Sequence, residues 1–315
     1  KGIPGEIHHD EWVNFAHNRN CALQHAQGKT DYVLIFDADD RFEGTFELPE
    51  ELTSDRYYFR MANSVTGANV YFRTLMFRND GSFYWRGVLH EFVEQRKKTV
   101  VEQKIFGDYY VISGRFGARS NNPQKYFQDA QVLEKAFYSP EDEDLKDRYA
   151  FYTAQSYRDA DMYEKAIEWY AIRANLGGWY EEVYHSLLQI SLLKIELNAP
   201  LDEIQRLLLA TYEYRPQRAE SLYHLARQLR YHNKAKQAYI YATVAANIPL
   251  NKDILFVDHS VYEWKAKEEL AMSANSVGNY QLCHDLCVEL LFNPAVPESN
   301  RKLLLDNLMF AKEHL

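Results

Sequence analysis

The chain has 315 residues, 46% of them hydrophobic, and its 36 Lys and Arg against 45 Asp and Glu leave a formal net charge of −9. A length of this order predicts about two domains, the acidic balance argues against nucleic acid as a main partner, and no run of ~18 apolar residues is present to span a membrane. Cys21, Cys283 and Cys287 are too few and too scattered for a disulfide framework, which, with no signal-peptide pattern, predicts a reducing, cytoplasmic setting.

The first predicted element is a helix over residues 14–26. Phe15, Arg19, Leu23 and Ala26 recur at helical spacing, Asn14 is its expected N-cap, and Gly28 ends it in the left-handed conformation. Next comes Tyr32-Val33-Leu34-Ile35-Phe36, an unbroken apolar and aromatic run that reads as a strand buried on both faces. Asp37-Ala38-Asp39-Asp40 follows where that strand would leave the sheet, the end at which open α/β sheets bind ligands. Alternation along an extended chain puts Asp37 and Asp39 on one side and Asp40 on the other. Two carboxylates so placed repel unless something positive lies between them. Mg²⁺ or Mn²⁺, which take oxygen ligands, would serve, with Asp39 as a ligand.

The pattern Asn14-Phe15-Ala16, Arg19-Asn20, Ala22-Leu23, Ala26, Gly28 and then Asp37-Ala38-Asp39 resembles glycosyltransferase family 2, which has the α/β, Rossmann-like GT-A fold. Members of that family begin with a further βαβ stretch that binds the nucleotide base, and residues 1–9 look like the tail end of such a part. Further on, Trp85-Arg86-Gly87 with His90-Glu91 is also similar to the family's pattern. The resemblance implies an inverting hexosyltransferase, with a UDP- or GDP-sugar donor and a glycan or protein acceptor. Glu91 would be the base that takes the acceptor's proton, His90 a further metal ligand beside Asp39, and Arg19 and Asp37 donor contacts. Neighbouring strand residues point oppositely, so His90 and Glu91 both face one site only if the chain turns there.

Strands are predicted over residues 56–62 and 70–78, separated by the turn-rich Asn63-Ser64-Val65-Thr66-Gly67, and over 104–113. Gly114-Arg115-Phe116-Gly117-Ala118-Arg119-Ser120 reads as a flexible cationic loop able to fold over a diphosphate through Arg119, with Lys125 nearby. A helix capped by Asn122-Pro123 should then bury Tyr126, Ala130, Leu133 and Phe137.

From Glu141 onward the pattern is helical and repeats. Ala154 and Ala166, Ala226 and Ala238, and Ala271 and Cys283 are each 12 residues apart, with Tyr170, Ala242 and Cys287 four further on. Such spacing resembles the tetratricopeptide repeat, whose paired helices touch through small residues. The wider interval between the last two repeats predicts an enlarged connection near Asn251 to Ser260. The expected architecture is a GT-A-like domain over 1–140 and a tetratricopeptide-like all-α array over 141–315, able to hold an acceptor or to dimerise. The rival expectation is a non-catalytic tetratricopeptide scaffold carrying a decayed transferase domain. A nucleotidyltransferase, which uses similar paired carboxylates, is a third.

Overall fold

A computed structural model of the chain describes residues 5–62, 71–114 and 122–315. It divides into two compact units, Lys1–Ala160 and Asp161–Leu315.

In the first unit, helix α1 (Phe15–Ala26) begins as its sequence predicts, with the Asn14 side chain accepting from the His17 amide at 2.8 Å. Strands β1 (Tyr32–Leu34), β2 (Arg41–Gly44), β3 (Arg56–Ala62), β4 (Tyr71–Arg78), β7 (Glu102–Lys104) and β8 (Tyr109–Ile112) form one sheet. Its order is β1-β4-β3-β8-β2, and β7 lies beside β3. The β1–β4, β4–β3 and β8–β2 pairs are antiparallel, whereas β7 and β8 run parallel to successive parts of β3. A hairpin of β5 (Phe83–Arg86) and β6 (Phe92–Gln95) stands apart as its own small sheet.

This topology corrects three expectations. The first strand is not buried on both faces: β1 is the sheet's edge, paired only with β4, and Leu34 is 46% exposed. Nor is the sheet a parallel βαβ array, since most of its pairs are antiparallel. The predicted strand over 104–113 is two strands, β7 and β8, split around Gly107. The apolar side chains of β3, β4 and β8 make the core: Tyr57, Phe59, Met61, Leu75, Tyr109 and Val111 are all but fully buried. Phe42 stacks between Phe36 and Phe46, with ring centroids 5.0 and 4.5 Å away.

Helices α2 (Lys125–Phe137) and α3 (Lys146–Asp159) complete the unit around a second cluster of Leu89, Leu133, Ala136, Leu145 and Tyr149. The Asn122 side chain accepts from the Gln124 amide, and α2 starts just beyond Pro123. Its buried face is Asp129, Ala130, Leu133 and Ala136, while Tyr126 is exposed.

The second unit is a helical array: α4 (Tyr163–Leu176), α5 (Tyr180–Glu196), α6 (Leu201–Tyr214), α7 (Glu220–Tyr231), α8 (Ala235–Asn247), α9 (Ala266–Ser276), α10 (Tyr280–Phe292) and α11 (Glu298–Glu313). A single π-helical turn, Val261–Lys265, leads into α9. The small residues expected at helix contacts are where the spacing puts them: Ala166, Ala226, Ala238, Ala242, Ala271, Cys283 and Cys287 are all buried. Three helix pairs also share one turn. Asn198, Asn233 and Gly278 each take a positive φ just past α5, α7 and α9. The next amide in each case (Ala199, Lys234, Asn279) donates back to the carbonyl five residues earlier, at 2.8–2.9 Å. This is the Schellman closure of a helix C-terminus, and its recurrence marks one repeated unit.

Candidate functional site

The positive charge required between the acidic residues of the first unit is supplied by arginine. Arg19 projects from the middle of α1, and its neighbour Asn20 fixes that helix to the hairpin. The Asn20 side-chain amide donates to the Trp85 carbonyl at 2.9 Å and accepts from the Trp85 amide at 2.8 Å. Anchored in this way, the Arg19 guanidinium lies 4.7 Å from the Trp85 ring. It donates to Asp37 Oδ1 at 2.8 Å and to Glu91 Oε1 at 2.7 Å. Arg73, on β4, reaches Asp37 Oδ2 at 3.3 Å.

Burial alone would raise the Asp37 carboxyl, but the Arg19 hydrogen bond and charge, joined by Arg73, hold it below its ordinary value. Burial would likewise lower the Arg19 guanidinium, and its two carboxylate partners raise it instead.

After β5 the chain turns, with Gly87 at φ +94° and His90 at φ +52°. The turn frees His90 and Glu91 from strand alternation, and both line the same open cleft. The His90 ring stacks on Tyr152 of α3, centroids 4.0 Å apart, and its carbonyl accepts from Arg148 at 2.6 Å. The cleft, of about 470 Å³, is walled by Arg19, Arg73, Arg148, Asp37, Glu91 and His90, with Tyr71, Trp85 and Tyr152. Such a mixture of guanidinium, carboxylate and aromatic faces suits a small polar ligand.

Of the seven residues singled out from the sequence, Arg19, Asp37, His90 and Glu91 meet here. Asp39 does not line the cleft. The chain bends at Asp37–Asp40, the Asp40 amide donating to the Asp37 carbonyl at 3.0 Å, so strand alternation does not carry past Asp37. Asp40 is buried, and burial pushes its carboxyl above the ordinary value. Lys125 begins α2, its ammonium 5.1 Å from the neighbouring Tyr126 ring and away from the cleft. Arg119 lies outside the described residues, as do the turn 63–67 and most of the cationic loop. Among the described residues no group of three His, Cys, Asp or Glu gathers as metal ligands. Asp37 and Glu91 are held by guanidinium groups. Arg73, Arg148 and Tyr152 escaped the sequence reading because they come from β4 and α3, and nothing local marks them as partners of Asp37 and His90.

Replacing Arg19 by glutamine removes the cation common to both acids. The Asp37 carboxyl is expected to rise toward or above its ordinary 3.8, read by NMR titration of the carboxyl carbon. A depressed carboxyl contributes stability above its unfolded pKa and loses it as pH falls through the folded one. The glutamine variant should therefore lose less stability than wild type as the pH falls below the ordinary carboxylate range. An unchanged Asp37 titration would remove Arg19 from its assigned role.

No family model matches this chain, and no curated protein does. Among solved structures, BtubC (BKLC) from P. vanneervenii is similar to it at 11% identity and a TM-score of 0.46, covering 63% of this chain and 84% of that one. MamA of AMB-1 is 14% identical with a TM-score of 0.34, over 60% of this chain and 89% of its own. A P. anserina kinesin light chain with nearly identical TPR-like repeats is 14% identical with a TM-score of 0.37, over 62% and 88%.

These findings correct the resemblance to family 2 glycosyltransferases. No family model matches the chain as a glycosyltransferase, and the mixed, largely antiparallel sheet is not the parallel βαβ architecture that the motifs implied. The hexosyltransferase activity falls with the resemblance. The chain is a small mixed-sheet unit and a helical repeat array, and among the described residues no helix is long and apolar enough to cross a membrane.

Proposed function

We propose that this chain is a non-catalytic binding protein whose helical array takes up a segment of a partner protein. One observation carries the reading: Trp179 and Tyr180, where α5 starts, and Tyr214, where α6 ends, are large aromatic residues left substantially exposed. Arg215 draws two of these positions together, its guanidinium 4.2 Å from the Tyr180 ring. Aromatic residues and arginine are the types enriched at recognition surfaces. A rigid array of packed helix pairs presents them without ordering cost at binding. The polar cleft of the first unit is, on the same reading, a ligand-binding cleft rather than a centre of chemistry, because its acids are neutralised by arginines.

The test is to pan a displayed library of extended peptides against the full chain and map each enriched peptide by hydrogen exchange. Protection is expected at residues 179–182 and 214–215. Trp179→Ala with Tyr180→Ala should weaken binding by roughly tenfold or more, the size typical of aromatic anchors. Failure to enrich any peptide, or protection confined to the first unit, would overturn the proposal.

A further inference from the structure

Between α8 and α9 the chain runs through residues 248–260, and it folds back against the ends of earlier helices. Asn251 donates from its side chain to the Gln217 carbonyl at 2.8 Å. Asp253 accepts from Arg215 Nε at 2.6 Å and from Arg218 Nη1 at 3.3 Å. The successive amides of Ile254 and Leu255 both donate to one oxygen, Glu181 Oε2, at 2.8 and 2.7 Å. The Phe256 carbonyl accepts from Arg218 Nη2 at 3.3 Å, and its ring lies 4.7 Å from that of His185.

The groups that receive this strap are buried: Glu181, His185, Arg218 and Glu220 are each less than a tenth exposed. They grip a main chain and one acidic side chain. Of the strap's apolar side chains Ile254 is 81% and Phe256 55% exposed, although the Phe256 ring meets that of His185. Phe256 is further held at φ +46°, a conformation that costs a non-glycine residue energy. The strap thus makes the polar contacts of a bound peptide while leaving Ile254, and much of Phe256, in water. The exposed aromatic residues Trp179, Tyr180 and Tyr214 adjoin Glu181 and Arg215 of the same seat.

We infer that the seat of Glu181, His185, Arg215 and Arg218 is a recognition site for an extended protein segment carrying one carboxylate followed by apolar residues, and that the strap 251–256 is its intramolecular occupant. The inference rests on the array's being a binding module. A partner segment would place its carboxylate where Asp253 lies, give its amides to Glu181, and cover its apolar side chains against the neighbouring aromatics. Main-chain contacts would supply affinity and the acid would set the register. The strap competes at an effective concentration in the millimolar range, so only a segment that buries more than the strap does would displace it.

The probe is a fluorescent peptide with the sequence of residues 250–258, titrated against the full chain by anisotropy. Asp253→Asn in the chain weakens the strap and should tighten peptide binding at least tenfold over wild type. The same change in the peptide should loosen its binding to that variant at least tenfold. Equal affinity for wild type and variant, or no binding to a variant that keeps its helical circular dichroism, overturns the inference. Should Asp253→Asn fail to fold, hydrogen exchange on wild type decides. The Ile254 and Leu255 amides must exchange at least tenfold faster than the buried α7 amide of Leu225, which shows that the strap opens while the array stays folded. Exchange at the α7 rate overturns it. Library peptides that bind the array without altering exchange at Ile254 and Leu255 would leave the binding reading standing and overturn this one.

Discussion

Gly114→Ala is expected to destabilise the first unit by about 2–4 kcal/mol, a cost set by backbone crowding rather than by lost contacts. Strands β2 and β8 pair antiparallel, with Arg41 opposite Ile112, and the pairing continues outward to Asp39 and Gly114. The Gly114 amide donates to the Asp39 carbonyl at 3.0 Å. A β-carbon on Gly114 would sit 2.2 Å from that carbonyl oxygen and 2.9 Å from the Asp39 β-carbon, far inside contact distance. The obstacle is mostly main chain, so no rotamer change relieves it. Either the ladder opens at this end or the Asp37–Asp40 bend moves. The bend carries Asp37, so the Arg19–Asp37 ion pair should loosen with it. Urea unfolding gives the cost, and hydrogen exchange at the β2 and β8 amides localises it. Wild-type stability with undisturbed exchange at these strands would show that the close approach has slack.

The glycine had been read from the sequence as part of a flexible cationic loop, and this shows where local reading stops. Intervals along the chain were informative wherever one element repeats or caps itself. Asn14 caps α1, residues 56–62 form β3, and the small residues from Ala166 to Cys287 are buried at the helix contacts that their spacing predicts. The enlarged connection near Asn251 was visible in the same way, as a longer interval between repeats. Pairings between distant residues were not visible. A run such as Tyr32–Phe36 has the same composition at a sheet's edge as at its centre, and only its partner β4, about forty residues away, makes it an edge. The pair Asp37 and Asp39 called for positive charge, a sound electrostatic inference, yet sequence could not say that Arg19 and Arg73 supply it. The His-Glu pair did require a turn in order to face one cleft. The turn is present, but it serves a cleft whose acids are tied to arginine. Motif resemblance failed at the same level, because the residues that carried it also have local reasons to be there. Asn20 clamps α1 to β5, and Gly28 stands at the helix's end with φ +73°.

Arg218→Met is expected to cost the second unit about 3–5 kcal/mol, the usual result of removing one partner from a buried ion network. Arg218 has no exposed surface. Its guanidinium donates to Glu220 Oε1 at 2.7 Å through Nη2, approaches both Glu220 oxygens at 3.0 Å through Nε, and lies 4.6 Å from the Tyr184 ring. The Glu220 carboxylate also receives the Tyr262 hydroxyl at 2.8 Å and the Asp258 amide at 3.3 Å. One arginine thus joins the start of α7, the strap and the run into α9. Methionine fills comparable volume without charge, so packing changes little while the buried Glu220 carboxylate loses its main counter-ion. A second change, Glu220→Gln, removes the stranded charge and should restore part of the loss, since a neutral pair in the same space avoids most of the desolvation penalty. The coupling between the two positions, measured as a double-mutant cycle in urea, should fall in the range of about 0.5–3 kcal/mol found for residues of one network. The strap supplies a second readout, because the Phe256 carbonyl and Asp253 both lose a donor. Exchange at Ile254 and Leu255 should quicken more than exchange at α10, which the network does not touch. A loss below about 1 kcal/mol, with the strap amides unchanged, would mean that Glu220 is satisfied by its hydroxyl and amide donors alone and that Arg218 is not what fixes the strap to the array.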